Sequence, residues 1–476
     1  VIFESTHSTK PEAAGAAMTG TTIPHPDATT VADNSAETTW INTMSFNQDR
    51  SCFACGTTAG FRVFTAEPLH ELVRRERMTE ANNPRTVDAV SMLHRTQVLC
   101  MVSGEAGRAD SKVRVWDEIR GQVIGQMRAQ NGEEVLGVSM TRCTVALICE
   151  YNVYTYALDD FKILAQFPTA SNPRGLGSLA EAGSPVRLVC PGQTQGAVRV
   201  QVDNTATGPG TGRATHSHVF LAHERQLAAL TLSSTGSMVA TASEYGSVVK
   251  AFASVSGELL FEMRRGTGRA TIACLCFRAD DRFLAVSSDQ RTVHVFRLET
   301  QVRNRENSER FSSPPLGPSS PPGPVAHRSS RTLTRRPSLS FVVEAVSSVE
   351  GVMETARDVI RGVMPTYFSA ATAFARFHIP DHDHQCGTLD YRARHSRIVG
   401  PQVAFSPSYP DRLLVLHYNG FLYQCSFDPV QGGDGILVCA QAWFSPSPEF
   451  GIRKHPTNTI LEKRGNRGQQ EEWLLI

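Results

Sequence analysis

One kind of short run keeps returning along this chain. Phe61-Arg-Val-Phe64, Val113-Arg-Val-Trp116, Val153-Tyr-Thr-Tyr156, Val198-Arg-Val-Gln-Val202, Val248-Val-Lys-Ala-Phe252 and Val293-His-Val-Phe296 are all rich in β-branched or aromatic residues. Counted on Phe64, Trp116, Tyr156, Val202, Phe252 and Phe296, they recur at steps of 52, 40, 46, 50 and 44 residues. A four-stranded propeller blade has a period of about 40–45 residues. A seventh run, Phe421-Leu-Tyr-Gln-Cys425, stands 127 residues after Phe296 when counted on Tyr423, which is one blade plus a long insertion. Ahead of several runs, two apolar strands flank a polar turn, as in Met238-Val-Ala-Thr-Ala-Ser243 after Ser234-Thr-Gly236, and Phe283-Leu-Ala-Val-Ser-Ser288 after Ala279-Asp-Asp281. Their alternation is only partial, as in sheets covered on both faces. The pattern predicts an all-β fold: a seven-bladed β-propeller with a disordered N-terminus and a long loop insertion in blade six.

Residues 1–38 are rich in Thr, Ala, Gly and Pro without apolar periodicity, which reads as a disordered segment. Blades one to six then occupy 39–300, the insertion 301–377, blade seven 378–445 and a polar tail 446–476. Within 311–324 of the insertion, Ser, Pro and Gly make up 12 of 14 residues, a composition that cannot pack a core. Residues 301–340 hold seven arginines against two glutamates. Further on, Val342, Val346, Val349, Met353, Ala356, Ile360 and Val363 follow helical spacing and form one apolar stripe, and Pro365 stops the helix. Such a helix suits the membrane interface, the propeller rim or a partner protein. Ser338 is a candidate phosphorylation site, where added negative charge would weaken docking to a bilayer.

Charge narrows the partners. The 476 residues carry 47 basic and 46 acidic side chains, so a strongly basic nucleic-acid binder is not expected. No apolar run is long enough for a transmembrane helix, and the first residues lack the pattern of a secretory signal. The 11 cysteines are scattered, and Cys52-x-x-Cys55 and Cys274-x-Cys276 lack a second pair at zinc spacing. They read as reduced structural thiols of a cytoplasmic protein. Asp381-His-Asp-His384 reads as a solvated loop, with no metal and no other cofactor expected. No phosphate-binding loop before a helix, nucleophile elbow or zincin pair occurs, so no enzyme is expected.

The most informative stretch is Glu262-Met-Arg-Arg-Gly-Thr-Gly-Arg-Ala270. Successive side chains of an extended backbone point to opposite faces, so Arg264 and Arg265 serve two pockets rather than one. Guanidinium offers a planar fork of donors that suits phosphate. His223, Ser243, Ser247 and Lys250 precede the pair, and Ser287, Ser288, Thr292 and His294 follow it. Each set combines hydroxyl and imidazole groups and, with its arginine, suits a phosphorylated inositol. A solvated Arg-Arg-Gly turn among generic blade residues is the plainer alternative.

In order along the chain, these residues resemble the PROPPIN family, phosphoinositide-binding propellers of autophagy. Ser45-Phe-Asn-Gln-Asp49 with Ser51-Cys-Phe-Ala-Cys-Gly56 and Gly60-Phe-Arg-Val-Phe64 is similar to its first blade, and Met92-Leu-His-Arg-Thr96 with Lys112-Val-Arg-Val-Trp-Asp-Glu118 to its second. Asn172-Pro-Arg-Gly-Leu176, Ala222-His223, Ala240-Thr-Ala-Ser243, Met263-Arg-Arg-Gly266, Ser287-Ser-Asp289 and Thr292-Val-His-Val-Phe296 complete the resemblance. It implies one head-group site of His223, Ser243, Ser247, Lys250 and Arg264, and a second of Arg265, Ser287, Ser288, Thr292 and His294. The implied ligands are phosphatidylinositol 3-phosphate and phosphatidylinositol 3,5-bisphosphate. Membrane insertion would fall to Val346, Val349, Met353, Ile360 and Val363.

The chain departs from the family with Met263 for a usual Leu or Phe, Ser247 for Thr and Lys250 for Arg. Lysine keeps the charge and loses the fork, which points to a weaker or less selective first site. The resemblance further implies a peripheral effector on pre-autophagosomal, endosomal or vacuolar membranes. It would recruit partners in autophagosome formation or endosomal traffic, among them an autophagy lipid-transfer protein met by loops such as residues 103–112. The competing expectation is a WD-type scaffold that binds peptides without lipid.

Overall fold

The computed structural model describes residues 39–76, 86–105, 108–181, 186–204, 214–298, 371–380 and 400–444. They form seven antiparallel sheets of four strands, two of which gain a short fifth strand. All seven repeated runs are the third strand of a sheet, for example Gly60–Ala66 in blade one, Val248–Ala253 in blade five and Phe421–Ser426 in blade seven. The first strand of each blade lies against the first strand of the next, and Gln402–Phe405 of blade seven lies against Ile41–Phe46 of blade one, so the ring closes.

Burial explains the weak alternation. Second strands such as Cys52–Thr57 and Phe283–Ser288 are buried at every position, because a neighbouring blade covers each face. Outermost strands such as Leu69–Glu76 alternate between half-buried and exposed. Among the described residues every blade takes its four main strands in chain order from one stretch of sequence, interrupted in blade six by the insertion, and no main strand is exchanged to seal the ring. Aromatic packing supports the closure instead: the Trp443 ring meets Phe53 at 5.3 Å and Phe64 at 5.4 Å, and the Arg62 guanidinium lies 4.8 Å over Phe444. The ten described cysteines are free thiols.

The structure moves one expected boundary. The insertion, expected to run to residue 377, gives back its last residues to the propeller. Ala371–Thr372 pairs in parallel with Met263–Arg264 at the edge of blade five, and Ala375–His378 is the fourth strand of blade six. Blade seven begins with Gln402–Phe405 rather than at 378. Four residues alternating between buried and exposed are too few to show a period, and the long insertion separates them from the strand they join. The apolar stripe Val346, Val349, Met353, Ile360 and Val363, Ser338, the Asp381-to-His384 tract, the N-terminal segment and the tail all lie outside the described residues.

Candidate functional site

Blade five ends with the strand Leu259–Arg264, and blade six begins at Ile272. Met263 packs with Leu284, Val286 and Phe296 of blade six in the core between those two blades. Alternation therefore turns Glu262 and Arg264 toward blade four. The same face carries Lys250, which is paired with Glu262, and Thr241, which is paired with Lys250. Val239 and Phe252 share that face and pack with Val189, Val198 and Val200 of blade four. Arg265 lies just past the strand end, where its N–H donates to the Ser247 carbonyl at 2.8 Å. Its Nε donates to the Gly246 carbonyl at 3.2 Å and its Nη2 to the Gly268 carbonyl at 2.8 Å. These bonds fix the guanidinium plane with two of its five donors and leave three for a ligand. Burial lowers the Arg265 pKa, with Asp289 opposing the shift.

On the blade-four side, the His223 Nε2 and the Thr241 hydroxyl lie 2.9 Å apart. Lys250 donates from Nζ to the Ala222 carbonyl at 3.3 Å and lies 3.9 Å from the Glu262 carboxylate. Burial first, and the Lys250 charge second, push the His223 imidazole down to about 4. Ser243 ends the second strand of blade five on this side of the sheet, and Ser247 is buried in the turn that follows. Of the first set expected from the sequence, His223 and Lys250 are joined through Thr241 and Ala222, and Ser243 and Arg264 lie on the same side of the sheet, together with Glu262. Thr241 and Glu262 were not singled out by the sequence. Glu262 already faces Lys250, so an anion reaching the cleft competes with a carboxylate for that cation.

On the blade-six side, Arg265 lies close enough to His294 to disfavour its protonation. Burial is the larger cause, and together with Arg376 and His378 they bring the His294 pKa down to about 4. The Thr292 hydroxyl and His378 Nδ1 lie 3.2 Å apart, and the Ser288 hydroxyl accepts from the Gln290 N–H at 3.2 Å. Ser287 does not join this group. It is fully buried, and its hydroxyl donates to the Pro401 carbonyl at 2.6 Å, on the side of blade seven. Adjacent serines in one strand cannot face one cleft, for the reason that separates the two arginines. The sequence reading missed Arg376 and His378, whose only signal is a four-residue alternation beyond the insertion. Among the described residues no group of His, Cys, Asp and Glu is placed to hold a metal ion.

The two neutral imidazoles make stability depend on pH. Their folded pKa values of about 4 lie below the ordinary 6.5, so between those values the unfolded chain takes up protons that the folded chain refuses. Stability is complete above about pH 6.5 and falls as the pH drops toward about 4, by at most about 3 kcal/mol for each group. The His223→Asn variant is expected to flatten the acid side of the melting-temperature profile. An unchanged slope would mean that His223 is not held neutral.

These features define a seven-bladed propeller whose fifth blade carries basic and hydroxyl-bearing residues on both sides of its last strand. The chain belongs to the PROPPIN family, whose family profile matches residues 40–315. PROPPINs are phosphoinositide-binding propellers of autophagy. The chain is 29% identical over 396 residues to WD repeat domain phosphoinositide-interacting protein 2 of Xenopus laevis, covering 83% of this chain and 77% of that protein. It is 24% identical over 450 residues to Autophagy-related protein 18 of Mycosarcoma maydis, covering 85% and 92%. In fold it is similar to solved Kluyveromyces lactis Hsv2, with a TM-score of 0.57 over 85% of this chain and 99% of that one, at 17% identity.

Proposed function

We propose that this chain is a peripheral membrane effector that binds phosphatidylinositol 3-phosphate and phosphatidylinositol 3,5-bisphosphate, one head group in each cleft. It acts in autophagosome formation or endosomal traffic by recruiting other proteins, on pre-autophagosomal, endosomal or vacuolar membranes. The observation that carries the reading is the placement of the arginine pair at the end of blade five: Arg264 falls on the face that also carries Lys250, and Arg265 lies beside the His294 imidazole. A phosphate monoester needs several donors around one anionic group, and a fixed guanidinium supplies them as a fork. Two such grips on one surface act at high effective concentration, so individually weak sites hold the protein on a bilayer. Among the described residues no helix is long and apolar enough to cross a membrane. The expected partner segment, residues 103–112, overlaps the ends of two paired strands, Val98–Glu105 and Arg108–Asp117. We assign it contact with an autophagy lipid-transfer protein.

The test is flotation of the full chain with phosphatidylcholine vesicles, with and without phosphatidylinositol 3-phosphate. Binding is expected only with the phosphorylated lipid. Equal flotation in both samples, or none in either, rejects the reading and leaves a propeller that recognises something other than this lipid.

A further inference from the structure

The fourth strand of blade six brings two groups to the second cleft that neither the arginine pair nor the motifs around it include. In the antiparallel pairing of Thr292–Arg297 with Ala375–His378, Arg376 stands directly opposite His294 and His378 directly opposite Thr292. Directly opposed residues share a face. Ala375 and Phe377 are buried in the core toward blade seven, whereas Arg376 and His378 are exposed on the other face with His294. That is the face turned toward blade five and Arg265. His294 is 7% exposed, and its Nδ1 has no hydrogen-bond partner among the described residues. Asp434 lies beside Arg376 in a parallel pairing, yet no ion pair joins them. The second cleft therefore gathers the Arg265 and Arg376 guanidinium groups, a buried imidazole with an unpartnered nitrogen, and the His378 ring. Like charges so placed repel each other unless an anion lies between them.

We infer that Arg376, assisted by His378, is the subsite for a second phosphate on the inositol held in this cleft. It thereby sets the preference for a doubly over a singly phosphorylated head group. The inference rests on the phosphoinositide reading of the second cleft. Neighbouring strands are about 4.8 Å apart, comparable to the width of an inositol ring. A ring gripped through one phosphate by Arg265 and His294 therefore presents its next phosphate to the strand outside Thr292–Arg297. Arg376 is the cation on that strand. Its role is selective rather than general, because Arg265 still holds the first phosphate when Arg376 is replaced.

The experiment compares the full chain with Arg376→Gln/His378→Gln on vesicles containing phosphatidylinositol 3-phosphate or phosphatidylinositol 3,5-bisphosphate. The variant is expected to lose about tenfold in affinity for the bisphosphate, the worth of one charge-assisted hydrogen bond. Binding of the monophosphate is expected to stay within about twofold, and Arg376→Lys is expected to recover part of the loss. An equal loss on both lipids means plain electrostatic attraction to the bilayer and overturns the subsite, as does no loss on either. Soluble inositol 1,3,5-trisphosphate separates the sources. If it shows the same tenfold loss while the unsubstituted protein ignores both vesicles, the subsite stands for a free inositol phosphate and the membrane reading fails. If the unsubstituted protein binds neither vesicles nor the soluble head group, both proposals fail.

Discussion

Replacing Arg264 and Arg265 together with threonine is expected to lower affinity for phosphatidylinositol 3-phosphate vesicles at least about 100-fold. A charge-assisted hydrogen bond contributes about 1.5–3 kcal/mol, so losing one grip in each cleft removes about 3–6 kcal/mol, or roughly 10² to 10⁴ in affinity. The single variants are the sharper measurement. Arg264 shares a face with Lys250 and Glu262, whereas Arg265 is bonded to Gly246 and Gly268 beside His294. Residues that serve separate clefts have additive effects on head-group binding, and residues in one cleft do not. With soluble head group, each single variant is expected to abolish one of two binding events and leave the other. On vesicles each loses more than its own contact, because the second grip no longer acts at high effective concentration. Melting temperatures control for folding. Arg265→Thr gives up two bonds to backbone carbonyls, a modest cost of about 1 kcal/mol each. If either single variant removes both binding events, the arginines share one pocket and the two-cleft arrangement is wrong.

The sequence revealed the parts of the fold that repeat. Each propeller blade buries its third strand between neighbours, so that strand needs β-branched and aromatic residues, and seven of them in series expose the period. Strand alternation alone predicts that Arg264 and Arg265 part. In the structure Met263 packs toward blade six, which turns Arg264 the other way, and Arg265, just past the strand end, lies beside His294. The same rule applied to Ser287 and Ser288 puts them on opposite faces, and only the paired strands show which one turns toward blade seven. Arg376 and His378 were illegible for a different reason. Their strand is four residues long and lies beyond an insertion that separates it from its own blade, so neither period nor proximity in sequence connects them to His294. Glu262 and Thr241 carry no motif of their own. They enter the first cleft through cross-strand register with Lys250, and register is a property of the assembled sheet.

The turn that carries the arginine pair's supports is a place where a single methyl group does severe damage. Gly246 has a φ of +68°, in the left-handed region that side chains rarely adopt, and a Cβ there would lie 1.7 Å from the Ala270 carbonyl oxygen. Its N–H bonds to the Ser243 carbonyl at 3.0 Å, and its own carbonyl receives Arg265 Nε at 3.2 Å. Ala270 in turn donates to the Tyr245 carbonyl at 3.2 Å, which ties this turn to the segment between blades five and six. Gly246→Ala therefore combines an unfavourable backbone conformation with a clash against main chain that cannot rotate away, and about 3 kcal/mol or more of stability is expected to be lost. Relief of the clash pushes Ala270 and the carbonyl under Arg265 apart. Binding at the second cleft should accordingly weaken more than binding at the first. Gly266→Ala and Gly268→Ala are matched controls, since a Cβ at either position meets nothing within 4 Å and neither has a positive φ. Both are expected to melt with the unsubstituted protein. A Gly246→Ala protein that melts with those controls would show that the turn is not clamped against Ala270, and would remove the structural support for a fixed Arg265.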